Sequence, residues 1–369
     1  MGADYHIADK FTYLDGEKYL LYIGHLNTSL ANEIKEKYGI KNIFCINPFK
    51  YFLKRTLRFF LSKVHLNIFY HLKNPYHFSI FTKKKVKKIC EKNNINCVLV
   101  EYVWFGRIID EKKINALKII ETHDIQSVFC QSVKKEDKKW KLSITEKEEL
   151  SICKKYDYVL AISKNDFDYY KQKQCNAFYL PPIRKKNTEF LPVKKSVLNI
   201  GFIGGVAEFN VAAIEWFMKN VFSKDGDYVL NIYGKVCDKL DYPYENVKKH
   251  GFVENFDEVY TNNHIFINPT FVVGGIKTKN VEALGYGKIV LTTKEGARGL
   301  ESFVDNKSLY TFDDPDEYKK KIDFFSKNLS TINNDGVNIL KKFNELFANE
   351  EIMVLNNEIK EKVNNLWKE

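Results

Sequence analysis

The sequence predicts an α/β protein of two domains, each a mostly parallel sheet with helices on both faces. Three observations carry that expectation. Strand-like and helix-like periods alternate along the whole chain, the pattern that βαβ units produce. A length of 369 residues exceeds what one hydrophobic core usually organises. Finally, the alternation restarts after YLPPIRKKNTEFLPVKKS, a basic stretch that holds three of the eight prolines and reads as a linker. The expected organisation is a first domain over 1–185, a second over 196–345 and a helical tail over 346–369.

In the first domain KYLLYIGHL, KNIFCIN, NCVLVEYVWF, LKIIETHD and YDYVLAIS read as short buried strands, rich in β-branched and aromatic residues. SLANEIKEKYG and KKKVKKICEKNN read as helices between them. The second domain opens on VLNIGFIGG, a strand ending in glycines. Asn210 is then expected to cap the helix NVAAIEWFMKNVF, with Val211, Ile214, Phe217, Met218, Val221 and Phe222 on one face. DYVLNIYGKV, VKKHGFV, HIFINPT and KIVLTT follow as strands, with NFDEVYTN as a helix. DDPDEYKKKIDFFSKN starts a further helix with acids in its first turn, and a helical tail runs to Trp367.

Charge divides the chain. Net charge is +11, but residues 1–190 hold 35 Lys and Arg against 21 Asp and Glu, whereas the rest hold 23 against 26. An anionic partner is therefore expected for the first half. KYFLKRTLRFFLSK (50–63) can form a basic amphipathic helix, which makes an anionic membrane surface a candidate partner; a solvated helix over a core is the alternative. No RRM, KH or helix-turn-helix pattern is present, so nucleic acid is not an expected partner. Seven scattered cysteines without CxxC spacing read as reduced, buried thiols. The polar N-terminus MGADYHIADK and the lack of a membrane-length apolar run predict a cytoplasmic protein. Asp166-Phe167-Asp168 spells a metal-binding DxD, but it opens a helix, where a cap and first-turn acids account for it; no metal site is expected.

The glycines narrow the ligand. Gly201-x-x-Gly204-Gly205 is not G-x-G-x-x-G, and the next strand ends in Gly234-Lys235 where a dinucleotide fold places an acid. There is no P-loop. Later comes VGGIKTKNVEALGYGK, a strand-to-helix corner with two glycines, two lysines and Glu282. Glycines at a helix start let backbone N–H groups approach phosphate oxygens, and the helix dipole favours that charge.

The order NIGFIGGVAEFNVAAIEWF, LNIYGKV, HGFVENFDEVY and HIFINPTFVVGGIKTKNVEALGYGKIVLTTKEGARGL, across roughly 197–300, resembles the group 1 glycosyltransferases of GT-B fold. LKIIETHDI and the acidic helix TEKEELSICKKYDYVLAISKND resemble their acceptor domains more loosely. The resemblance implies two Rossmann-like domains facing across a cleft, with the C-terminal helix packing back on the first. It implies transfer of a sugar from a nucleotide-sugar donor, UDP- or GDP-linked, to a glycan or lipid-linked acceptor. The setting would be bacterial capsule, O-antigen or lipooligosaccharide synthesis, with retention, no metal and no cofactor.

The residues it assigns are His123 and Asp124 near the donor sugar, and Lys279 at the diphosphate. Gly204, Gly205, Gly274, Gly275, Ile276, Lys277, Thr278 and Arg298 would surround the phosphates. Glu282 would accept the ribose hydroxyls, Val253 would meet the base through its backbone, and Asn210 would lie at the donor site if it is more than a cap. One departure is visible: many members have a second glutamate eight positions before the ribose ligand, and here that position is Gly274. A sugar-nucleotide epimerase on the same fold, or a basic binding protein without catalysis, remain as alternatives.

Overall fold

In the computed structural model the described residues are 12, 14–23, 26–46, 80–109, 113–136, 143–182, 187–347 and 350–366. The helix expected over 50–63 lies outside them. The chain divides into two units, one of the described residues of 3–130, 141–183 and 349–369, the other of those of 131–140 and 184–348.

The first unit begins with β1 (Lys18–Ile23), α1 (Thr28–Tyr38) and β2 (Ile40–Ile46). Asn27 caps α1 by accepting the Leu30 N–H at 2.8 Å. β1 and β2 pair in parallel. After α2 (Ile80–Lys92) come β3 (Cys97–Glu101), β4 (Leu117–Glu121) and α3 (Gln126–Glu136). α4 (Glu146–Cys153), β5 (Tyr158–Ala161), α5 (Lys164–Gln172) and β6 (Ala177–Tyr179) complete the run. β3 to β6 form a four-stranded parallel sheet in sequence order. One face of it packs Val100, Ile120, Val159 and Ala161 against helix side chains such as Val86 and Ile152. On the other face, Ile352, Leu355 and Val363 of α11 (Glu350–Leu366) bury Leu117, Ile119, Tyr158 and Leu160.

α4 has a function its composition only hints at. Its capping box closes at Thr145 and Glu148, which leaves Glu149 free of local duty. Fully buried, Glu149 accepts the N–H groups of Gln126 and Ser127, both at 2.8 Å, and the Tyr170 hydroxyl at 2.8 Å. One carboxylate thus caps α3 from outside it and ties α5 to the same point. The acidic run in TEKEELSICKK is explained by this capping.

The second unit contains β7 (Leu198–Ile203), α6 (Glu208–Asn220), β8 (Tyr228–Tyr233), β9 (Val247–Gly251) and α7 (Phe256–Thr261). It continues through β10 (Ile265–Asn268), α8 (Thr278–Gly285), β11 (Ile289–Thr292), β12 (Leu309–Thr311), α9 (Pro315–Lys327) and α10 (Leu329–Leu346). The six strands are parallel in the order β12-β11-β10-β7-β8-β9. Counted from β7 as strand one, this is the doubly wound order 6-5-4-1-2-3, and its switch point lies between β7 and β10.

Two local expectations are corrected, both at helix caps. Asn210 does not cap α6: the cap position is Ala207, without a side-chain bond, and Asn210 lies inside the first turn. Asp166 is not a cap either; Ser163 Oγ accepts its N–H at 3.1 Å, and Asp166 sits in the first turn of α5. The helical stretch after β12 consists of α9, α10 and α11, with α9 giving way to α10 at Asn328 and α10 ending at Leu346. Asp314 and Pro315 give α9 a strong start, with Asp314 Oδ1 accepting the Asp316 N–H at 2.9 Å. The strands β6 and β12, three residues each, are too short to display a period in the sequence. From 187 onward the linker is packed: Asn187 Nδ2 donates to Gly285 O at 2.8 Å, and the Lys288 ammonium donates to Leu191 O at 3.2 Å.

The Glu149 cap sets a stability test. Glu149→Ala strands two buried N–H groups and a buried hydroxyl, at a cost of about 2 kcal/mol or more. Scanning calorimetry should show the first unit melting roughly 4–8 °C lower. An unchanged transition would mean that α3 needs no outside cap.

Candidate functional site

The site is built where two crossovers leave the sheet at its switch point. After β10 the chain makes the corner Val273 to Lys277, with Gly274, Gly275 and Ile276 buried, and enters α8 at Thr278. Lys277 occupies the cap position and provides no side-chain cap, so no side chain covers the first N–H groups of α8 in the usual way. Its ammonium turns back to Gly275 O at 3.2 Å. Asn280 fixes the geometry from below: its Oδ1 accepts from Asn268 Nδ2 at 3.0 Å, and its Nδ2 donates to Gly296 O at 2.8 Å. Both ends of the corner, and the turn 293–299 that carries Arg298, are thereby fastened to one buried side chain. Gly299, with φ 79°, closes that turn.

After β7 the chain makes the second wall of the site. Gly204 donates its N–H to Tyr233 O at 3.0 Å and accepts the Val236 N–H at 3.1 Å. Gly234, with φ 92°, comes so close that a Cβ there would stand 2.3 Å from Gly204 O. Gly205 is exposed. Asn210 faces this loop and the corner together: its Nδ2 donates to Gly205 O at 3.4 Å and its Oδ1 accepts from Lys279 Nζ at 3.0 Å. Lys279 also lies 5.2 Å over the Phe202 ring. Its stem is partly exposed, but the ammonium is enclosed. Burial, then the neighbouring Lys277, push its pKa down to about 8, while Glu282 opposes the shift.

Glu282 lies one turn into α8, half-buried. Its Oε2 accepts the Tyr260 hydroxyl at 2.9 Å. Tyr260 is held in turn by stacking on Tyr286 at 4.5 Å. Tyr260 carries no signal in the sequence, since an apolar-face tyrosine in a six-residue helix reads as core. Val253 follows β9 and lines a groove of about 320 Å³ with Asn231, Tyr233, His250 and Lys195. His250 and Tyr233 stack at 4.4 Å, and His250 Nε2 pairs with Asn231 Oδ1 at 2.9 Å. Burial, then Lys195, lower the His250 pKa.

The first-unit candidates sit at the end of β4. His123 is buried with φ 58°, and its ring stacks on Tyr102 at 4.0 Å. Its Nε2 lies 2.8 Å from Glu101 Oε2 and 3.5 Å from Glu121 Oε1. Asp124 is half-buried; its Oδ2 accepts from Gln126 Nε2 at 3.5 Å. Glu101, Glu121 and His123 place three ligand-type atoms within 4.8 Å of one another, an arrangement the sequence did not reveal. The 2.8 Å separation is that of a hydrogen bond. Two ligands on one tetrahedral ion at ~2.0–2.1 Å would stand roughly 3.3 Å apart. A proton fits between His123 and Glu101 better than an ion does.

The second unit therefore joins Gly204, Asn210, Lys277, Lys279 and Glu282 with the buried glycines around one helix start; Val253 lines the separate groove beside β9, and His123 and Asp124 belong to the first unit. Residues 198–328 match the family model for Glycosyl transferases group 1. Among solved structures, Anabaena HepE in complex with UDP-glucose is similar at 12% identity over 99% of this chain and 96% of that one, TM-score 0.64. Sucrose-phosphate synthase from Thermosynechococcus elongatus is similar at 15% identity over 76% of each chain, TM-score 0.59. A glycosyltransferase from Rickettsia africae is similar at 15% identity over 95% of this chain and 99% of that one, TM-score 0.59. No curated protein matched in a sequence comparison. The fold is thus shared with these solved structures, and the match to the group 1 family model lies within the second unit.

The Lys279 ammonium gives a pH test. Its folded pKa of about 8 lies below the unfolded value of 10.5. Between those values the unfolded chain binds the extra proton, so the Lys279 contribution to stability rises with pH across that window and is flat below it. Denaturation of wild type and Lys279→Met from pH 7 to 10 should show the wild type gaining on the variant above pH 8. Parallel curves would mean the ammonium is solvated.

Proposed function

We propose that the protein transfers a sugar from a nucleotide-sugar donor to a glycan or lipid-linked acceptor, with the donor diphosphate at the start of α8. The observation that carries this is the meeting of an α8 N-terminus without a side-chain cap, Lys277, Lys279 and Glu282 at the switch point of a doubly wound sheet. As the glycosidic bond breaks, charge develops on the leaving nucleoside diphosphate. Backbone N–H groups and fixed ammoniums stabilise it without reorganising. Diphosphate binding supplies the countercharge that Lys279 lacks, which raises its pKa again, and displaces its hold on Asn210. Glu282 takes the ribose hydroxyls, with Tyr260 fixing one carboxylate oxygen, and the base lies along the groove beside Val253. Gly274, where many members carry a glutamate, leaves donor-sugar contacts to backbone N–H groups. Arg298, Gly204, Gly205, Ile276 and Thr278 shape the phosphate pocket.

His123 and Asp124 are assigned to the donor sugar. The positive φ of buried His123, 58°, beside that of half-buried Tyr102, 66°, supports a functional reading of this strand end. UDP is the nucleotide of choice, given the UDP-glucose complex of HepE, with GDP second. Independence from metal follows the same reading, because lysines and backbone N–H groups supply the countercharge; retention is proposed from the resemblance to the group 1 family. The setting we propose is bacterial surface polysaccharide assembly at the inner face of the cytoplasmic membrane. Among the described residues no helix is long and apolar enough to cross a membrane. Lys84 and Lys88 are exposed on α2, which supports contact with anionic headgroups in addition to the helix expected at 50–63.

Calorimetry with UDP and uridine tests the donor site. Glu282→Gln should weaken both ligands about tenfold to a hundredfold, since a hydrogen bond to a charged group contributes roughly 1.5–3 kcal/mol. Lys279→Ala should weaken UDP and leave uridine nearly unchanged. Wild-type affinities in both variants would reduce the corner to a turn and remove the main support for the reading. Transfer should also survive EDTA; strict dependence on Mg²⁺ or Mn²⁺ would require a metal that the lysines do not replace.

A further inference from the structure

The end of the first unit's sheet holds an arrangement that the donor-site reading does not use. Glu101 and Glu121 are register partners on the parallel strands β3 and β4. Glu121 is fully buried and the Glu101 side chain is 19% exposed. Like charges placed directly opposite on neighbouring strands repel, and burial makes the repulsion worse. The group that stands between them is His123. Its Nε2 is 2.8 Å from Glu101 and 3.5 Å from Glu121. With Glu101 ionised, and so only an acceptor, the short contact places the proton on Nε2.

Backbone strain points to the same place. Tyr102 and His123, the residues that turn the chain after β3 and β4, both have positive φ, 66° and 58°. Neither is a glycine, so each conformation costs on the order of 1 kcal/mol or more. The two turns are joined: Tyr102 donates its N–H to Glu121 O at 2.8 Å. Their rings stack at 4.0 Å and 16°. A histidine needed only for packing would not require two strained residues, a stacked ring and two carboxylates.

We propose that Glu101, supported by Glu121, is the positioning residue for His123: it holds the proton on Nε2 while Tyr102 fixes the ring plane, so that one tautomer and one orientation meet the donor sugar. The proposal rests on the donor-sugar role given above to His123. A ring fixed by neighbours in this way reacts from a single geometry, which is where positioning acts on rate more than on binding.

The experiment is ¹H–¹⁵N NMR of histidine-labelled full-length protein from pH 6 to 9, with the His123 signals assigned by their loss in His123→Gln. A protected, downfield Nε2–H proton is expected in the wild type, absent in Glu101→Ala and shifted but present in Glu101→Gln. A wild-type Nε2 without its proton, or a resonance indifferent to Glu101→Ala, overturns the proposal, and Glu101→Gln decides if the alanine variant does not fold. Kinetics with UDP-glucose add the functional arm: Glu101→Gln should lower kcat about tenfold or more, with the donor KM within roughly threefold. An unchanged kcat alongside the expected spectra would leave the contact structural and end the positioning claim. A wild type that binds no UDP and turns over no UDP-glucose would count against the donor reading, while the spectra would still decide the proton.

Discussion

The reversal of strand order between β7 and β10 is the constraint on which the donor site depends. Crossovers leave these two neighbouring strands in opposite directions, so the sheet opens at their C-terminal ends and nothing of the sheet fills the gap. Into that gap come the glycine loop after β7 and the corner before α8. Asn210 to Lys279, 3.0 Å, is a side-chain hydrogen bond that links the two walls. Among the described residues this ammonium is held by an amide oxygen and not by a carboxylate, and burial, then Lys277, lower its pKa. The chain spends stability to keep a cation ready for an anion.

A poised cation is useful only in a rigid frame. Asn280 supplies the frame by satisfying Asn268 and Gly296 at once, and buried amides of this kind are costly unless fully bonded. Thr292 Oγ1, which donates to Asn268 O at 2.6 Å, adds a further tie. The first unit solves the equivalent problem differently. There Glu149 caps α3 beside the His123 turn, and the Glu101–His123–Glu121 cluster fixes the turn itself. In both units the precise residues stand on strand ends and helix starts, and a second layer of buried polar side chains holds them.

How much of this was legible varied with the length scale of the signal. Long alternating stretches such as VLNIGFIGG and HIFINPT showed their strands, and the glycine spacing around Gly204 and Gly274 distinguished this fold from dinucleotide and P-loop folds. The short strands β6 and β12 carried no period. Asn210 was misplaced because Asn before an apolar run is the ordinary cap signal, whereas the helix starts two residues earlier at Glu208 and uses Asn210 to bind a lysine 69 positions away. Tyr260, Asn280, Glu101 and Glu121 had no local mark at all. Their partners are brought together only by the sheet order and register, which the sequence pattern does not specify.

The central claim is that a nucleotide diphosphate rests on the start of α8, between the Gly204 loop and Lys279. A crystal structure of the protein soaked with UDP tests it most directly. The account predicts diphosphate density within hydrogen-bond distance of the first N–H groups of α8 and of Lys279 Nζ, with the ribose hydroxyls on Glu282. UDP bound elsewhere on the chain, with Lys279 still paired to Asn210, would contradict it.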